Sequence, residues 1–243
     1  MAQTVSSTWN NINEYLDHDT RWKVVIGNDT YYDPNISFIN ITKPLFDTFG
    51  IGGVCASKLE LTIDPNSLNP VGTIPTMATI NVFSQISYGD PNDVDYLESE
   101  WIPKGTYWID TRQTLLNGLV ELTCYDAMLK AEQFWYNGTD WTKPAETKAA
   151  LTDICTRIGV PLDSRNGINT FTSYSIDWTD LTMYDLTMRD VLSYIAIGMG
   201  GNWFITDDNK LRLVTLSDIP PETNLLATDA GSPILFGDVR IIL

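Results

Sequence analysis

Few side chains in this sequence are suited to chemistry. The chain holds one histidine, His18, and three cysteines, Cys55, Cys124 and Cys155. A Ser–His or Cys–His nucleophile would have to use His18 as its base. His18 lies between Asp17 and Asp19 in a polar arm, with nothing nearby to build a pocket, so it reads as a solvated side chain. The cysteines are far apart, odd in number and free of any CxxC pair. That spacing fits small apolar packing in a reducing compartment better than a zinc site or a disulfide framework. With 31 acids and 8 tryptophans, the raw materials of a glycosidase carboxylate pair are present. No ExxE or DxE setting on a recognisable scaffold brings two acids together, and solvated faces are the reading.

The densest acidic stretch, Asp90 to Glu100, invites comparison with a calcium loop. Counting from Asp90, position 5 is Val94 and position 6 is Asp95, where an EF-hand needs an oxygen ligand and a glycine. The stretch reads as an acidic surface loop between strands. Gly50-Ile51-Gly52-Gly53 is followed by no Lys-Ser/Thr and has no GxGxxG spacing, so it reads as a turn or flat crossing. In Thr123 to Tyr136 (TCYDAMLKAEQFWY), Cys124 alternates with Val120 and Leu122 and should pack inward. Asp126 can cap the turn that follows. Phe134, Trp135 and Tyr136 should close the bottom of a barrel or the seam to a second domain. The stretch is thus a joint, and no catalytic, cofactor-binding or metal-binding residue is assigned from the sequence.

The elements around these residues come from periodicity. Arg21–Ile26, Ile36–Ile41, Lys58–Ile63, Thr79–Ile86, Thr106–Asp110 and Gly118–Tyr125 are short strand-like runs. The pattern places Leu59, Leu61 and Ile63 on one face, and likewise Ile80, Val82, Ser84 and Ile86. In Ile36–Ile41 it pairs Ile36 with Phe38 on one face and Ile39 with Ile41 on the other. Pro, Gly and Asn punctuation, at Asp64-Pro65-Asn66, Asp90-Pro91-Asn92 and Asn117-Gly118, separates the runs, which predicts an antiparallel barrel or sandwich. After Asn137-Gly138 the character changes. Thr142 can cap a helix with Leu151, Ile154, Cys155 and Ile158 on one face and Gly159 as its stop. Thr187 to Asp190 resembles a capping box for a second helix with Val191, Leu192, Ile195 and Ala196 buried. Asn202–Thr206 and Leu211–Leu216 then form a hairpin turning at Asp207 to Lys210.

The fold class is therefore α+β, mainly β. An arm or short helix (1–20) precedes a barrel-like domain (21–140) and a small α+β domain (141–216). A segment at 217–243 begins, or returns to, another β-domain, and its apolar end, DVRIIL, suggests a chain cut before further sequence. The 243 residues are 43% hydrophobic, enough for a packed core. No apolar run reaches the roughly 20 residues of a membrane helix, and the N-terminus has neither the basic flank nor the apolar stretch of a secretory signal. The Asn-x-Ser/Thr matches at Asn28, Asn35, Asn40 and Asn137 therefore carry no weight. A net charge of −16 without clustered Lys or Arg argues against tight binding to nucleic acid.

Several segments in order resemble the tail hub proteins of phages and prophages, which are similar to the baseplate hub and late control protein D family and to the hub part of type VI secretion spikes. The resemblance rests on Tyr125-Asp126-Ala127-Met128, Arg189 to Ala196, Gly200-Gly201-Asn202 and Asp208-Asn209-Lys210-Leu211, with Asn35 to Ile63 matching the early strands. It covers roughly residues 21 to 215. It implies a virion structural protein, usually a homotrimer, that forms a ring between the tail tube and the tail tip, spike or fibre proteins. The location implied is the virion tail, assembled in the host cytoplasm. DNA would pass through the lumen without specific binding, which the acidic charge suits. No cofactor and no membrane insertion are implied, and a C-terminal lytic or fibre module would be missing. The alternative is a peptidoglycan- or glycan-acting tail-tip module with paired carboxylates in an aromatic cleft.

Overall fold

The computed structural model describes residues 5–15, 17–44, 50–64, 78–116, 118–164, 172–179, 181–215, 235–236 and 239–240. The fold is α+β and mainly β. Helix α1 (Ser7–Asn13) precedes eight strands: β1 (Asp19–Ile26), β2 (Asp29–Tyr32), β3 (Ile36–Thr42), β4 (Lys58–Ile63), β5 (Thr79–Tyr88), β6 (Leu97–Glu98), β7 (Ile102–Thr114) and β8 (Val120–Tyr125). A 3-10 turn (Ala127–Glu132), α2 (Thr147–Ile158), α3 (Met188–Met199) and the hairpin β9 (Gly201–Ile205) to β10 (Leu211–Thr215) follow. Most of segment 217–243 lies outside the described residues, as do the punctuation at Pro65-Asn66 and Asn117 and residues 45–49 of the Asn35 to Ile63 match. Of the tail, only a backbone ladder of β11 (Leu235–Phe236) with β12 (Val239–Arg240) is described.

One antiparallel sheet runs in the order β2-β1-β5-β7-β8-β4-β3, with β6 on the side of β5. The strands that alternation placed in a barrel or a sandwich thus make a single sheet, curled into a half-barrel. Its two ends, β2 and β3, are joined by only Asp33–Asn35. The Asp33 carboxylate accepts the Trp22 N–H of β1 at 2.9 Å, and the Asn35 carbonyl accepts from Asp64 N, just past β4, at 2.8 Å. The concave face holds Val24, Leu59, Leu61, Ile63, Ile80, Val82, Leu122 and Cys124, each fully buried. The N-terminal arm is a helix with Ile12 buried; Ser6 caps it and hydrogen-bonds to Glu100, and Tyr15 stacks on Tyr88 at 4.0 Å.

Two sequence expectations need correction. A bulge between Ile36 and Phe38 breaks the period of β3, so Ile36, Ile39 and Ile41 pack on the core while Phe38 is 52% exposed. Thr142 caps nothing: α2 begins at Thr147, and the Ser173 hydroxyl, brought from 25 residues away, accepts the Lys148 N–H at 3.2 Å. The Thr187 capping box and the left-handed Gly159 stop (φ 77°) stand as the pattern implies.

A second core draws on residues from both before and after Asn137-Gly138. It takes Val54, Met128 and Ala131 together with α2, α3 and the β9–β10 hairpin. Residues 50–57, in the β3–β4 connection, lie along β9 as a parallel neighbour: Trp203 N donates to Gly53 O at 2.8 Å and Cys55 N to Trp203 O at 2.9 Å.

Candidate interaction site

The residues with nominal chemistry are dispersed and spoken for. The His18 Nδ1–H donates to the Tyr15 carbonyl at 2.8 Å, and the three cysteines are buried and form no disulfide. Burial pushes the Cys124 and Cys155 thiols up to about 12, so neither supplies a thiolate near neutrality. Asp126 is 2% exposed at the corner where β8 leaves the sheet. Its carboxylate accepts from Met128 N at 2.9 Å, capping the 3-10 turn, and from Ser57 N at 2.8 Å, while its own N–H donates to Ser57 O. Burial raises it to about 6, with the hydrogen bonds from Ser57 and Met128 and the charge of Arg189 opposing. Asp126 therefore bolts together the two places where the chain crosses between cores. Among the described residues, no group of three His, Cys, Asp or Glu is placed to hold a metal ion. Among the described residues, no helix is long and apolar enough to cross a membrane.

Gly50 to Gly53 is a close crossing. Gly52 has φ +97°, and a Cβ there would overlap the Ile197 side chain of α3. The buried Asn202 amide clamps the loop, accepting from Gly53 N at 2.6 Å and donating to Gly50 O at 3.1 Å. Ser193 adds a bond to Gly52 O at 2.7 Å. Glycine serves backbone contact here.

The sequence did not reveal how the aromatic residues gather. Trp135, Trp141 and Trp178 pack within 4.8–5.6 Å between ring centroids, and Tyr136 and Tyr184 extend the cluster. Asp153 on α2 accepts the indole N–H of Trp135 and of Trp141 at 3.3 and 3.2 Å and pairs with Arg157 at 3.8 Å. Arg157 in turn donates to the carbonyls of Trp135 and Phe134. The acid inside the cluster is thus engaged in holding rings. Of the three aromatics expected at the seam, Trp135 is buried in the second core, Tyr136 is half-buried and Phe134 is 63% exposed.

Behind Trp135 lies an apolar cavity of ≈ 160 Å³, floored by Ala150, Ile176, Leu186, Val191 and Ile195 and bordered by Tyr174, Tyr194 and Gly198. On the other side of α3 runs a shallower, more polar groove along Gly50–Val54 and Ser193. Between the two, the outer face of α3 exposes Tyr194 (62%) and Ile197 (55%). The sequence reads Gly198 to Gly201 as the end of this helix; α3 instead runs to Met199 and stops at Gly200, which leaves Gly198 within its last turn.

The arrangement offers surfaces for association: the β3 edge of the half-barrel, paired on one side only among the described residues, and the cavity with its aromatic rim on the second core. No protein-family model matches the chain, and no curated protein matches it either.

Proposed function

We propose that this chain is a virion structural protein, the hub component of a phage or prophage tail. It assembles as a homotrimeric ring between the tail tube and the tail tip, spike or fibre proteins, and it performs no catalysis. The observation that carries this reading is the β3 edge. Its sequence, Ile36–Thr42 (ISFINIT), contains no charge and no proline, and among the described residues it has a strand partner only on the β4 side. Exposed edges normally carry Lys, Pro or a strong twist that prevents pairing; an uncharged edge with Phe38 outward is suited to a neighbouring subunit. The Tyr125-Asp126-Ala127-Met128 corner, on which the resemblance rests, is the bolt between the two cores, a role that needs no reaction. The acidic charge of −16 suits a lumen that passes DNA.

Light scattering coupled to size exclusion tests the reading. The expected mass is three protomers of 27.3 kDa, falling to one when Ser37 and Phe38 are both changed to Lys, with the melting temperature unchanged. A wild-type chain that stays monomeric at high concentration, or a trimer indifferent to both lysines, would overturn it.

A further inference from the structure

The aromatic residues beside α2 close on themselves. Tyr136 meets Trp141 at 6.2 Å and 68°, and Trp141 meets Trp178 at 5.6 Å and 86°. Trp178 meets Tyr184 at 6.0 Å and 56°, and Tyr184 returns to Tyr136 at 4.6 Å and 84°. Each of these half-buried rings thus stands steeply to the next around a cycle. Three of the ring faces converge on one point, and the Lys143 ammonium occupies it. Lys143 Nζ lies 4.9 Å from the Tyr184 centroid, 5.5 Å from Trp178 and 5.8 Å from Tyr136, all within the roughly 6 Å reach of a cation–π contact. The remaining ring, Trp141, takes the Arg157 guanidinium at 5.8 Å.

The polar ends of these rings are already committed. Asp153 accepts the Trp141 indole N–H at 3.2 Å, Pro144 O accepts that of Trp178 at 2.8 Å, and the Tyr184 hydroxyl accepts from Lys143 at 2.8 Å. What the cycle offers to an incoming group is π-face, and a π-face is negative and selects a cation. The bond from Trp178 to Pro144 also fixes the backbone beside Lys143. The Lys143 side chain is exposed, so its ammonium can swing into solvent without moving that backbone.

We propose that Tyr136, Trp141, Trp178 and Tyr184 form a cage for a quaternary ammonium group, the trimethylammonium of a choline-type compound, with Lys143 as its resident plug. A primary ammonium is a compact, strongly hydrated charge, and ring faces replace little of that water. A trimethylammonium spreads its charge over methyl groups, gives up less hydration on entry and packs those methyls on the rings. It therefore displaces the lysine. The cage goes beyond the hub reading and uses no part of β3. The ring is read by mass and the cage by ligand preference, so either can fail alone.

The test titrates the whole chain with choline, with ethanolamine, and with the neutral analogue that carries tert-butyl in place of trimethylammonium, at constant ionic strength, following tryptophan fluorescence. Choline should bind at least ~10-fold more tightly than either comparator. Lys143→Ala, which removes the plug, should tighten choline by at least a further ~10-fold. Tyr184→Leu, added to that variant, removes one face and should bring choline down to the level of the neutral analogue; circular dichroism checks that each variant keeps its fold. Cosedimentation with phosphatidylcholine vesicles would assign the ligand as a lipid headgroup, and choline binding without it a soluble compound. A wild-type chain that binds no choline, or binds it no better than the neutral analogue, would reduce the cycle to packing and overturn the site. Choline binding that both Lys143→Ala and Tyr184→Leu leave unchanged would overturn the cage as its place.

Discussion

The half-barrel and the second core are held by different means. In the half-barrel the interior is mostly aliphatic, with Tyr31 and Tyr107 buried among the branched side chains, and each strand is fixed by ladder bonds to neighbours, as β4 is by β3 and β8. The second core is built from pieces far apart in the chain and pinned by single polar side chains. Asn202 reaches across 149 residues to Gly53, Ser193 across 141 to Gly52, and Asp126 across 69 to Ser57. A ladder spreads its stability over many equivalent bonds, whereas a clamp concentrates it in one amide or carboxylate. The first should fail by loss of volume and the second by loss of a single polar atom.

Four measurements break or sharpen that contrast. Leu61, fully buried between β3 and β8, should cost about 2–5 kcal/mol as Leu61→Ala in chemical denaturation. Next is Asp126. Its folded value of about 6 lies above the 3.8 of the free group, so the native state binds the proton more tightly. Stability contributed by protonation is present below about pH 4 and is lost as pH rises to about 6, by up to about 3 kcal/mol. Denaturation of wild type and Asp126→Asn over that range should give a stability difference that shifts against wild type as pH rises from about 4 to about 6; a constant difference would overturn the assignment. Asn202→Ala should cost about 1–3 kcal/mol by leaving Gly53 N and Gly50 O unpaired. Its hydrogen exchange should quicken at Gly53 and Trp203 while the amides of β4 and β8 stay protected; equal loss in both would mean the two cores unfold as one. Smallest is the cap pair: Thr187→Ala should cost about 1 kcal/mol, and Thr142→Ala should leave the melting temperature unchanged, since Thr142 caps no helix.

That division also explains what could be read in advance. Leu59, Leu61 and Ile63, or Val120, Leu122 and Cys124, declare themselves by period two because each strand buries one face, and the α2 and α3 stripes do so by helical spacing. The bulge at Ile36/Phe38 defeats the same rule, since one extra residue inverts the faces. The Ser173 cap, the Asn202 clamp and the gathering of Trp135, Trp141 and Trp178 depend on which distant segments meet, and no local period encodes that. In the candidate site, Gly198 reads with Gly200 and Gly201 as the stop of the helix, and no local period shows that it lies inside α3 or borders a cavity.

The threading of residues 50–57 onto β9 also sets a timetable for synthesis. At about 5–20 residues per second, the ribosome delivers Asn202 on the order of ten to thirty seconds after Gly53. In the second half of that interval the half-barrel can close, because its last strand, β8, ends at Tyr125, before α2. Val54 must wait, its eventual cover in Trp203 not yet made. The nascent chain thus passes through a stage in which a finished half-barrel carries one unsatisfied loop, and that stage is where a chaperone, or a premature neighbour, would find its hold.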